Sequence, residues 1–172
     1  MELKEYRSHV KRLAAERQGI PVYNGSPDHA AIIVENMFAA ARSKIRLLTG
    51  DFNAKVYGNS AVVQRAREFI AHSDHTLEIL VEDVTFNSSH PLVAEIGAED
   101  NVTFYEIPKA VSARIGFHFM TADDDCFRYE AEKNSHVAVA AFGDRETAQH
   151  LNEVFHEVLL ESRELDKASL TD

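Results

Sequence analysis

The chain contains one cysteine, Cys126, so no disulfide can close within it and no zinc site can be built from its thiolates. No apolar run approaches the ~20 residues of a membrane-spanning helix, and none follows a basic start at the N-terminus. A cytoplasmic protein without a membrane span is expected. Basic residues are also scarce: 18 Lys and Arg stand against 28 Asp and Glu, a formal net charge of −10. Too few phosphates could be neutralised for non-specific nucleic-acid binding, so duplex DNA is not an expected partner. There is no P-loop, no dinucleotide-binding glycine fingerprint and no Ser-His-Asp set. Repeats, low-complexity segments and linkers are missing too. What remains, at 172 residues, is one domain long enough to bury a core.

Apolar periodicity then sets the order of elements. Residues 2–18 read as an amphipathic helix, with Leu3, Tyr6, Val10, Leu13 and Ala14 on one face and Gly19 as its stop. This helical arm packs on its own domain or docks a protein partner. Residues 20–23 suit a short strand. Ser26 is a helix cap followed by Pro27, and the helix it opens buries Ile33, Val34, Met37 and Phe38. Residues 44–49 form a strand, and the polar loop behind it offers Asp51 and Asn53 at the strand end where open α/β sheets bind ligands. The logic repeats with a helix capped by Ser60, a strand over 76–81, a short helix opened by His90-Pro91 and a strand over 102–107. His72, Asp74 and His75 fall at a helix end and read as a polar turn. A small-residue strand over 136–142 and a long helix over 146–164 follow. From Asp166 the tail is polar and expected to fray. The expected boundaries are therefore 1–18 for the arm, 19–165 for the α/β domain and 166–172 for the tail.

The organising stretch is 116–130, GFHFMTADDDCFRYE. Phe117, Phe119 and Thr121 alternate with His118, Met120 and Ala122, three aspartates break the alternation, and residues 126–130 resume it. The pattern predicts a β-hairpin with an acidic turn. With the strand and helix order around it, this hairpin resembles the phospholipase D-like superfamily, whose signature is His, any residue, Lys, four residues, Asp. The resemblance covers most of 26–163 and implies a single-domain α/β sandwich with a mixed central sheet flanked by helices. Aligning the hairpin turn puts Gly116 in the histidine place, His118 in the lysine place and Asp123 in the aspartate place. A second register puts His118, Met120 and Asp125 there instead.

The resemblance implies a mechanism in which histidine attacks phosphorus, lysine holds the phosphoryl oxygens and aspartate orients a histidine. Glycine cannot be the nucleophile in the first register. Methionine offers no charge in the second, and one missing electrostatic donor commonly costs about 10²–10³ in rate. The reading is a catalytically degenerate binding or regulatory module; the alternative is a metal-independent phosphodiesterase or nuclease. Either works as a homodimer, as a single-motif chain of this family implies, with 116–122 near the two-fold axis. His118 and Asp123 are the candidate catalytic residues, and Asp51, Asn53, Gly116 and Arg128 the candidate ligand-binding ones. The Asp123, Asp124, Asp125 run lacks the loop spacing of a ~6–8-oxygen calcium site, and no metal or cofactor is expected.

Overall fold

The computed structural model describes residues 1–133 and 135–170. Eight strands form one mixed sheet: β1 (Val22–Asn24), β2 (Lys44–Thr49), β3 (Thr76–Val81), β4 (Val102–Glu106), β5 (His118–Ala122), β6 (Cys126–Glu130), β7 (Ala138–Phe142) and β8 (Arg163–Glu164). Their order across the sheet is β1-β7-β6-β5-β2-β3-β4-β8. The strands β2, β3 and β4 run parallel. Each is linked to the next through helices: α3 (Ala54–Tyr57) and α4 (Ser60–Ile70), then α5 (Pro91–Ile96). Short connections reverse the chain from β5 to β6 and from β6 to β7, and β5 also lies antiparallel to β2.

One sheet face carries α1 (Leu3–Glu16), α2 (Pro27–Ala40), α4 and α5, and the other carries α6 (Lys109–Ser112) and α7 (Arg145–Leu160). The strands that face both layers are apolar throughout their inner halves, as Leu47, Leu48 and Leu80 illustrate. Helix α2 is wedged between sheet and helices, so residues on every side of it are buried, from Ala30 through Phe38. Its start is as read: Ser26 Oγ accepts from the His29 amide at 3.2 Å.

Several boundaries differ from the sequence reading, each for a local reason. Helix α1 ends at Glu16, before Gly19, because Arg17 turns left-handed at φ 48°. Its guanidinium is held there by Asp125 and the Ala40 carbonyl. Helix α4 is capped by Asn59, whose Oδ1 accepts from the Ala61 amide at 3.0 Å, with Ser60 already inside the helix. Helix α7 stops at Leu160, and the residues expected to extend it form β8 on the free edge of β4. The tail does not fray over its described part: Lys167–Leu170 is a 3₁₀ turn that buries Leu170 to 2% exposure. Residues 171–172 of the expected tail lie outside the described residues. At the other end of the chain, Tyr6, Val10 and Leu13 of α1 enter the same core cluster.

Candidate functional site

The hairpin register decides which side chains meet. His118 pairs with Glu130, Met120 with Arg128 and Ala122 with Cys126, so these six residues share one sheet face. Leu48 pairs with Phe119, which sets the start of antiparallel β5 beside the C-terminal end of β2. The loop after β2 therefore arches over His118. A cavity of about 40 Å³, room for a few water molecules, opens there. Asp51, Asn53, His118, Arg128, Glu130 and His136 line it.

His118 is held by a residue from β3. The amide of Glu82 donates to the Thr49 carbonyl at 3.1 Å, closing the ends of β2 and β3 together. That contact brings Glu82 Oε2 to 2.8 Å from His118 Nε2, with both side chains nearly buried. The other oxygen, Oε1, accepts from Ser112 Oγ at 2.9 Å and from Lys133 Nζ. Burial alone would raise the Glu82 carboxyl, but the hydrogen bonds from His118, Lys133 and Ser112 together outweigh it and hold it below the usual range. Gly50 makes room for the ring: a Cβ there would lie 3.1 Å from His118 Cε1.

Arg128 is 3% exposed and lines the cavity. Its Nε donates to Asn24 Oδ1 at 3.1 Å and its Nη2 to Glu130 Oε2 at 3.2 Å. Asn24 in turn donates to the His136 carbonyl, fixing a residue that sits at φ 56°. Tyr57 closes the floor, and its burial pushes the phenol upward. Chemically, a carboxylate-bound imidazole stands ready to exchange a proton or contact a ligand. Arg128, the cation directly across the hairpin from Met120, is paired with Glu130.

The structure thus brings His118, Asp51, Asn53 and Arg128 to one cavity and leaves two predicted residues elsewhere. Gly116 is outside the lining, with open space where a Cβ would go. Asp123 sits at the far end of β5, on the order of 16 Å away at ~3.3 Å per residue. Its carboxylate accepts from the amides of Arg42, Ser43 and Lys44 at 2.8, 2.9 and 3.0 Å. Asp125 is likewise turned away, paired with Arg17 at 2.6 Å. The acidic turn fastens the hairpin to its neighbours. Glu82, Ser112, Lys133, Glu130 and His136 were not singled out by the sequence. Only Glu82 carried a usable signal, since it follows the apolar run of β3 as Asp51 follows that of β2.

The family described as Domain of unknown function (DUF7931) matches residues 26–168. None of the curated proteins matches the sequence. Among solved structures the chain is similar to Nuc, a phospholipase D family member from Salmonella typhimurium, with a TM-score of 0.60 and 15% identity over 85% of this chain and 99% of that one. NucT from Helicobacter pylori gives 0.60 and 10% identity over 86% of this chain and 100% of that one. TrmBL2, an archaeal chromatin protein with a novel mode of DNA binding, gives 0.65 and 11% identity over 94% of this chain and 61% of that one. The likeness to Nuc shows a phospholipase D-like fold.

Proposed function

Because the chain belongs to the DUF7931 family and has a phospholipase D-like fold, we propose that it is a catalytically silent, homodimeric binding module. The observation that carries the reading is Met120. In the register that keeps a histidine at the head of β5, the phosphate-holding lysine is replaced by this side chain, which is 1% exposed in the core. The nearest substitute, Arg128 directly across the hairpin, has its charge paired with Glu130 and its Nε bonded to Asn24. In the other register Gly116 removes the nucleophile. A small polar ligand suits so small a cavity, lined by His136 and Asn53 and by the carboxylates of Asp51 and Glu130. Net charge argues against duplex DNA as that ligand. A protein partner reaching α1 would meet its charged face, since its apolar face is already in the core.

The test of silence is hydrolysis of bis-p-nitrophenyl phosphate and single-stranded DNA in EDTA, wild type beside His118→Ala. Neither protein should exceed the buffer rate. Wild-type turnover that vanishes in the variant would overturn silence. It would favour a phosphodiesterase whose charge comes from Lys133, which meets His118 across the Glu82 carboxylate.

The dimer half of the proposal has its own support. Tyr23, Val139 and Tyr129 are register neighbours across β1, β7 and β6, on the face that α7 covers only in part. Tyr23 is 66% exposed and Val137, two residues before Val139, is 58% exposed. A two-fold axis through this row would bury it against its own copy. Sedimentation should find a species of twice 19.3 kDa at micromolar concentration, dissociated by Tyr23→Asp. A wild-type protein sedimenting at 19.3 kDa would remove the dimer from the proposal.

A further inference from the structure

We propose that the turn after α4 binds a divalent transition-metal ion through His72, Asp74 and His75. One ligand atom from each residue lies within 4.8 Å of the others. Two ligands on one ion stand at most roughly 4.2 Å apart, twice the ~2.1 Å bond of nitrogen or oxygen to zinc. His72 and Asp74 are exposed, so small side-chain rotations close that gap.

The turn is held in shape before any ion arrives. The His75 amide donates to the His72 carbonyl at 3.0 Å, bending the chain just past the helix. The Asn101 side-chain nitrogen lies 3.0, 3.2 and 2.8 Å from the carbonyls of Ile70, His72 and His75. One amide from the β4 side therefore fixes the backbone of both histidines.

His75 is also fixed as a ring. It stacks on Phe69 with centroids 4.6 Å apart, and its Nδ1 lies 2.8 Å from the Phe69 carbonyl. A carbonyl only accepts, so Nδ1 carries a proton and Nε2 is the nitrogen left to face an ion. An imidazole donating its second nitrogen to a backbone carbonyl is how proteins orient histidine ligands. The His72 ring lies 4.6 Å from that of His75, close enough for both to reach one ion.

The surroundings favour a cation. The site sits at the C-terminal end of α4, where the helix dipole is negative. Both histidines border a recess of about 170 Å³ that Glu68 also lines, with Glu68 paired to Arg65 at 2.8 Å. Two imidazoles and a carboxylate select zinc, nickel or copper over magnesium or calcium, which prefer all-oxygen shells. Three protein ligands leave the remaining positions to water. The polar-turn reading of these residues is sound as far as it goes, but it does not account for three ligand atoms converging.

Calorimetric titration of the EDTA-treated, dialysed full-length protein with Zn²⁺ decides the matter. One ion per chain is expected at micromolar affinity, with no comparable heat from Mg²⁺. His72→Ala and Asp74→Ala remove exposed ligands and should keep the wild-type circular dichroism. Each should weaken Zn²⁺ binding at least ~10–100-fold, the scale on which disturbing even an outer-shell partner acts. No Zn²⁺ binding at 100 μM, or binding undiminished in both folded variants, would overturn the site.

Discussion

Arg128→Ala should lower the free energy of unfolding by about 3–5 kcal/mol, the usual cost of orphaning one partner of a buried pair. For a chain of this size the thermal midpoint would fall by roughly 6–20 °C. The cause is what remains: Glu130 is 7% exposed and would keep a charge with no cation beside it, while Asn24 would lose its donor. Denaturant unfolding measures the loss. The double variant Arg128→Met with Glu130→Met should recover most of it, because an apolar pair of similar volume carries no desolvation cost. A single variant within 1 kcal/mol of wild type would mean that water in the cavity replaces the lost partner of Glu130.

The second large effect belongs to Asp123. Its carboxylate takes three consecutive amides at the start of β2 and the Ser43 hydroxyl, while its own amide donates to the Lys44 carbonyl at 2.7 Å. It does this from a left-handed backbone at φ 55°, a conformation aspartate tolerates better than alanine. Asp123→Ala should cost about 2–4 kcal/mol, combining lost charge-assisted bonds with that strain. Asp123→Asn keeps one oxygen acceptor and should lose about half as much. Neither change should move the ¹⁵N resonances of the His118 imidazole. A shifted imidazole in a variant of unaltered stability would restore Asp123 to the site and make its cap incidental.

These two residues also mark where sequence reading reaches and where it stops. The alternation over 116–130 was enough to set His118, Met120 and Ala122 on one face, because a strand's period of two needs no partner to be seen. Asp51 and Asn53 followed from their place behind a parallel strand. Asp123 was legible as a carboxylate ending a strand, yet such a group caps a neighbouring strand as readily as it orients a histidine. Which of these it does depends on Ser43 and Lys44, some 80 residues away. Lys133 is hidden for the same reason, since it meets Glu82 across 51 residues, and the place of Glu82 behind β3 does not by itself tell that it meets His118, 36 residues further on. The short strand expected over 20–23 is found as β1, Val22–Asn24, whereas β8, at two residues, is too short for any periodicity to register.

The wedged position of α2 has a consequence during synthesis. The helix leaves the ribosome with apolar residues on every side, while the hairpin that covers it lies some 80 residues further along the chain. At ~5–20 residues per second, that surface waits several seconds for its cover. Pairing of Val22 with Ala140 comes later still, and joins one edge of the sheet across most of the chain. Until β7 emerges, the nascent protein is an incomplete sheet with the apolar surface of α2 still uncovered.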